Sequence, residues 1–85
     1  VVERISRPQK WEYAYVIYDT SALVIRYATT GERREMSSSR DNFNATVRSL
    51  GEEGWELVGV SAQSEKASLP SVTQETLYFK RVLIG

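Results

Sequence analysis

Cysteine and histidine are both absent from this 85-residue chain. Without cysteine there is no disulfide framework, no thiolate zinc site and no thiol nucleophile. Without histidine, the commonest metal ligand and the usual general base near neutral pH are missing. Charge of one sign is not in excess either: 11 Lys and Arg balance 11 Asp and Glu, so no net field draws in nucleic acid or an anionic membrane. No apolar run reaches the length of a membrane span or of a signal peptide's hydrophobic segment. A small domain free of disulfides fits a reducing, cytoplasmic setting. The chain opens on Val1 rather than Met, which fits a trimmed chain or a segment of a longer protein.

The length allows one domain and no second core. A chain this short buries only about 60% of the surface its unfolded form exposes, so its stability margin is thin. Small domains that lack disulfides and metals often recover margin by associating.

Residues 1 to 10 carry Pro8, mixed charge and no period, and read as an arm before a single domain over residues 11 to 85. Trp11 to Tyr18 is rich in aromatic and β-branched residues and predicts a strand. Asp19-Thr20-Ser21 is turn chemistry, and Ala22 to Ala28 predicts a second strand. Thr29-Thr30-Gly31 reads as a hairpin loop with Gly31 in the left-handed region, returning through a charged edge strand, Glu32 to Met36. A helix is expected to start near Asp41 and to face the sheet with Phe43, Val47 and Leu50. Gly51 suggests a close helix-to-sheet approach. Gly54 fits the position after the C-cap, which places Trp55 where a Schellman motif folds an apolar side chain back onto Leu50. Trp55 to Ser64 and Gln74 to Leu83 alternate with the period of strands, around a loop from Glu65 to Thr73 that contains Pro70. The fold class is therefore α+β: an antiparallel sheet of four to five strands with one helix on one face, in the order β-β-β-α-β-β.

Three segments carry a resemblance. Trp11-Glu12-Tyr13, then Leu50-Gly51-Glu52-Glu53-Gly54-Trp55-Glu56-Leu57-Val58, then Phe79-Lys80-Arg81 resemble the W-E-Y, L-G-x-E-G-W-E-L-V and F-K-R segments of the small bacterial domain of unknown function 4177 family. The resemblance implies a sheet with one helix. It implies no catalytic residue, cofactor or substrate, and Ala22 to Ser39 lies outside it.

The candidate chemistry is sparse. Glu52, Glu53 and Glu56 could be read as acid-base carboxylates or oxygen ligands for a hard cation, but neighbours at a helix end do not face one another. A solvated helix terminus accounts for them more simply. Arg26, Arg33, Arg34 and Arg40, with Tyr27 nearby, form the one basic cluster. Arginine among aromatic residues can track a phosphate backbone, yet Glu32 and Glu35 offset it. A charged hairpin edge is the plainer reading. No catalytic, cofactor-binding or metal-binding residue is assigned.

Five Tyr and two Trp are many for this length, and such rings serve both cores and interfaces. Trp11, Tyr13, Ile17, Trp55, Leu57, Leu77 and Phe79 are expected beneath the helix. Trp11, Tyr13, Leu50, Gly54, Trp55, Leu57 and Phe79 are the structural positions. The other face is then expected to hold Ala14, Val16, Tyr18, Val58, Val60, Ala62, Tyr78 and Val82. One helix covers one face, and a second apolar face usually marks a protein contact. The expected function is a non-catalytic interaction or oligomerisation module, contacting a second copy or a protein partner through Val16, Tyr18, Val58, Val60, Tyr78 and Val82. The alternative is a small-molecule binder or enzyme with a pocket between helix and sheet or between protomers. A weak nucleic-acid binder using the Arg-rich hairpin comes third.

Overall fold

The structure, a computed structural model, describes residues 8–63 and 74–84. Six elements follow the expected order: β1 (Trp11–Asp19), β2 (Leu23–Tyr27), β3 (Arg33–Met36), α1 (Arg40–Glu52), β4 (Glu56–Gln63) and β5 (Gln74–Val82). All five strands pair antiparallel in one open sheet with the spatial order β3-β2-β1-β5-β4. The first meander and the last hairpin meet where β1 pairs with β5 along nine residue pairs, from Trp11 opposite Val82 to Asp19 opposite Gln74. The ladder runs one step further, because the Leu83 amide donates to the Lys10 carbonyl at 2.9 Å. Lys10, expected in the arm, is thus joined to the sheet; the rest of the arm before Pro8 and the loop expected at 65–73 fall outside the described residues.

Local chemistry sets the turns. The Asp19 carboxylate accepts from the Ser21 amide at 2.8 Å, the Ser21 hydroxyl at 2.8 Å and the Ala22 amide at 2.9 Å. Those bonds hold its pKa below the usual value, the Ala22 amide contributing most. Their stabilising effect is therefore present above the ordinary aspartate range and is lost as pH falls through the lowered value. Gly31, at φ 80°, closes the β2–β3 hairpin. The Tyr27 amide donates to the Glu32 carbonyl at 2.9 Å, so the loop holds Ala28 to Gly31, one residue more than expected.

The helix begins at Arg40, and its cap lies two residues before Asp41. Ser39 is the N-cap, and its hydroxyl accepts from the Asn42 amide at 3.0 Å; Asp41 instead sits in the first turn, where its charge suits the helix dipole. The far end is the expected Schellman motif. Gly54, at φ 93°, donates to the Gly51 carbonyl at 3.1 Å, and the Trp55 amide donates to the Leu50 carbonyl at 2.9 Å. Leu50 and Trp55 are both buried in the same core cluster. Gly51 is not a close-approach residue. It is exposed, and a Cβ there would meet nothing within 4 Å.

The core corrects the expected sidedness of β1. Buried residues are Ala14 and Val16 of β1, Leu23 and Ile25 of β2, Leu77 and Phe79 of β5, Leu50 of the helix, and Trp55. Val16, expected at an interface, is 0% exposed. Tyr18, expected there too, packs against the core, its ring 4.8 Å from Phe43. Trp11 and Tyr13, expected beneath the helix, lie on the opposite face. The cause is the register: Ala14 stands opposite Phe79 and Val16 opposite Leu77, and directly paired residues share a face.

A β-bulge between Leu57 and Gly59 makes a second correction. The extra residue brings Leu57, paired with Phe79, and Val60, paired with Leu77, onto the helix side together. Val60 therefore leaves the face on which simple alternation placed it. Leu57, expected as a structural position, is 46% exposed there, and the buried core holds none of the residues Glu56 to Ala62.

Two glycine substitutions separate these roles by chemical denaturation. Gly54→Ala forces a side chain into the left-handed region and is expected to cost about 1–2 kcal/mol; its Cβ would sit 3.9 Å from Arg81 Cδ, an ordinary contact, so backbone strain is the whole effect. Gly51→Ala is expected to stabilise by roughly 0.5–1 kcal/mol through helix propensity.

Candidate functional site

The face away from the helix is built by alternation along the two central strands. β1 contributes Trp11, Tyr13, Tyr15 and Ile17; β5 contributes Thr76, Tyr78, Lys80 and Val82. Flanking them are Val24 and Arg26 of β2, opposite Ile17 and Tyr15. Trp11 is 36% exposed, Tyr13 51% and Tyr78 44%. The rings are organised rather than scattered. Tyr15 and Tyr78, directly opposite, have centroids 6.4 Å apart, and the Lys80 ammonium lies 4.2 Å from the centre of the Trp11 ring. The Tyr78 hydroxyl is 3.4 Å from the Ser61 hydroxyl on β4. Such ring pairs and cation–π contacts are each worth on the order of 1 kcal/mol, enough to hold the rings in place.

Of the expected interface residues, the register brings Tyr78 and Val82 onto this face. Val58 is exposed within the bulge, Val60 is exposed on the other side, and Val16 and Tyr18 belong to the core. Sequence reading missed Tyr13, Tyr15, Trp11 and Val24 as open-face residues. The available signal was Arg26: it must face solvent, and Tyr15 stands opposite it.

The arginine cluster is split. Arg26 and Arg33 pair on the open face, whereas Arg34 pairs with buried Ile25 and lies 5.8 Å from the Tyr27 ring on the helix side. Arg40 sits at the helix start over Tyr18 and Phe43. Arg33 bonds Glu35 at 2.8 Å and Arg34 bonds Glu32 at 2.9 Å, all four side chains being half-exposed. The Glu32 bond raises the Arg34 pKa, so that charge is fixed.

Among the described residues, one cleft open to solvent lies along the helix and another at its start. One, of about 210 Å³, is lined by Tyr27, Arg34, Met36, Thr46, Leu50 and Glu53 among others. The other, of about 360 Å³, lies by Tyr18, Asp19, Ser38, Arg40, Gln74 and Glu75. Burial pushes the Tyr27 phenol further above its usual value, away from acid-base work near neutral pH. Neither Lys80 nor Arg81 lines either cleft. Arg81 is occupied elsewhere: it bonds Glu12 at 2.7 Å and the Glu53 carbonyl at 2.8 Å, and its guanidinium lies 4.3 Å from the Trp55 ring centre. It ties β1, β5 and the helix end together. Glu52, Glu53 and Glu56 are exposed, and among the described residues no three Asp or Glu side chains gather as a metal site.

No helix among the described residues is long and apolar enough to cross a membrane. Comparison with family models, curated proteins and solved structures gives no match to this chain.

Arg81→Met keeps the aliphatic stem over Trp55 but deletes the charged bonds, leaving Glu12 largely buried without its partner. The variant is expected to lose about 1.5–3 kcal/mol in urea denaturation, with the far-UV circular dichroism of the folded state unchanged.

Proposed function

We propose that this chain is a small non-catalytic interaction and oligomerisation module that works through the open face of its sheet. One observation carries the reading. Trp11, Tyr13, Tyr15 and Tyr78 form an ordered set of rings on a face with no helix above it among the described residues. A solvated face of an antiparallel sheet alternates to polar residues; this one puts aromatic bodies with polar tips outward, the composition of an interface core. Arg26, Lys80 and the Arg33–Glu35 pair supply a polar rim.

The magnitudes agree with modest affinity. Rings of ~150–250 Å² each, exposed as above, leave on the order of 250 Å² of aromatic surface per protomer at Trp11, Tyr13 and Tyr78. Covering that area on two partners gives about 12 kcal/mol at ~25 cal/mol per Å², offset by an association cost of ~4–15 kcal/mol. The difference sets micromolar association as the upper limit of affinity, reached at the low end of that cost. A second copy satisfies this reading without charge repulsion, since the chain is neutral. The cysteine-free composition fits a cytoplasmic setting for it.

Replacing Tyr13 and Tyr78 together by Thr keeps strand propensity and removes two rings. In sedimentation velocity across a dilution series, the double variant is expected to associate at least tenfold more weakly than the parent, with unchanged circular dichroism. Identical sedimentation of the two proteins would falsify the reading.

A further inference from the structure

The two edges of the sheet are protected unequally. β3 is four residues long and carries Arg33, Arg34 and Glu35, with Glu32 just before it. Short length and dense charge are how an edge strand is kept from pairing with another chain. β4, the other edge, is eight residues long, and beyond Glu56 it holds Leu57, Val58, Gly59, Val60, Ser61, Ala62 and Gln63, with no charge and no proline. Among the described residues nothing pairs with its outer side.

β4 is also the strand the helix does not reach. Phe43 near the helix start meets Tyr18, and Glu53 at its end meets Arg81, which bonds Glu12. Tyr18 and Glu12 lie near opposite ends of β1, so the helix runs along the strands. A helix is only about 10–12 Å wide, against roughly 19 Å between the outer strands of a five-stranded sheet. It covers β2, β1 and β5, reaches β3 through Thr46 and Met36, and leaves Leu57 and the 59%-exposed Val60 in a bare apolar strip.

We infer that β4 pairs antiparallel with β4 of a second copy, joining two sheets into one of ten strands. The inference rests on the reading of this chain as an assembly module, but uses a different surface. The regular part of β4 after the bulge is Gly59 to Gln63, centred on Ser61. Pairing about that centre sets Ser61 against its own counterpart and Val60 against the partner's Ala62. Residues of equal parity then meet, so both apolar strips fall on one side and both helices flank them. A register shifted by one residue would set Val60 against the small polar Ser61 and turn the two helices to opposite faces. On the other side, Gly59 and Ser61 bring no bulk to the junction.

A second copy fits this edge better than an unrelated strand because it brings the matching strip, and the neutral chain offers no repulsion. The five paired residues at ~3.4 Å span about 17 Å. With a depth of roughly 20 Å for sheet and strip together, each partner buries on the order of 350 Å², well below the ~800 Å² of a standard stable interface. The dimer is therefore a weak one, populated at high protein concentration. It also sets the two aromatic faces side by side as one continuous platform.

The test is sedimentation equilibrium of the full chain carrying Tyr13→Thr and Tyr78→Thr, with and without Val60→Lys, at hundreds of micromolar. Val60 is exposed, so its replacement leaves the core intact. With the aromatic face disabled, a dimer is expected to persist, and Val60→Lys is expected to weaken it at least tenfold. A monomer in the face-disabled protein, or a dimer indifferent to Val60→Lys, overturns edge pairing while leaving the open-face reading standing. If the parent and the face-disabled chain associate equally, and Val60→Lys abolishes both, the edge is correct and the open-face reading fails.

Discussion

One helix is too narrow a lid for five strands. That mismatch governs the molecule. The helix runs along β1 with Leu50 buried and Phe43 and Val47 packed against the core, and the buried residues come from β1, β2, β5 and Trp55. What lies outside its width is uncovered: the helix side of β4, and the whole opposite face of the sheet. Among the described residues, apolar surface therefore remains exposed on both.

Side-chain shape explains which face received the lid. Ala14, Val16, Leu23, Ile25, Leu77 and Phe79 fill the space between sheet and helix, where close packing rewards compact groups without polar tips. Trp11, Tyr13, Tyr15 and Tyr78 keep a polar atom, which an outer face can solvate. Tyr18 and Tyr27 pack at the margin of the core, only partly buried, and Trp55 is the buried exception. It is 5% exposed and its indole nitrogen is buried without a partner among the described residues. The Schellman turn at Gly54 swings it inward, and the Arg81 guanidinium lies over its ring. Arg81 thereby links the helix end to β1 through Glu12, so one side chain ties the helix-to-β4 junction to the β1–β5 pair.

The parts of this fold legible from sequence are those set by short-range bonds. Gly54 after the C-cap, Trp55 folding back on Leu50, the Asp19 turn and the left-handed Gly31 all depend on partners within a few residues. The helix start was read at Asp41, but the cap is Ser39, whose hydroxyl reaches the Asn42 amide, and Asp41 serves the first turn instead. Sidedness of β1 was illegible from β1 itself, since both faces are apolar; it becomes readable only by following Arg26 across the ladder to Tyr15. The β4 bulge was hidden for a different reason. Gly59 permits an extra residue but does not require one, and that residue moves Val60 to the helix side. The open face was thus partly legible: Tyr78 and Val82 follow from alternation on β5, whereas Tyr13, Tyr15 and Trp11 needed the register.

The two tryptophans make the central claim directly measurable, because Trp55 is shielded by the helix while Trp11 stands on the uncovered face. Iodide quenching of indole fluorescence, followed over a dilution series from hundreds of micromolar to sub-micromolar, reads the accessibility of Trp11 against the constant background of Trp55. If the open face is a contact surface for a second copy, Trp11 is protected at high concentration and becomes quenchable on dilution. Trp11 equally quenchable at every concentration would contradict the account.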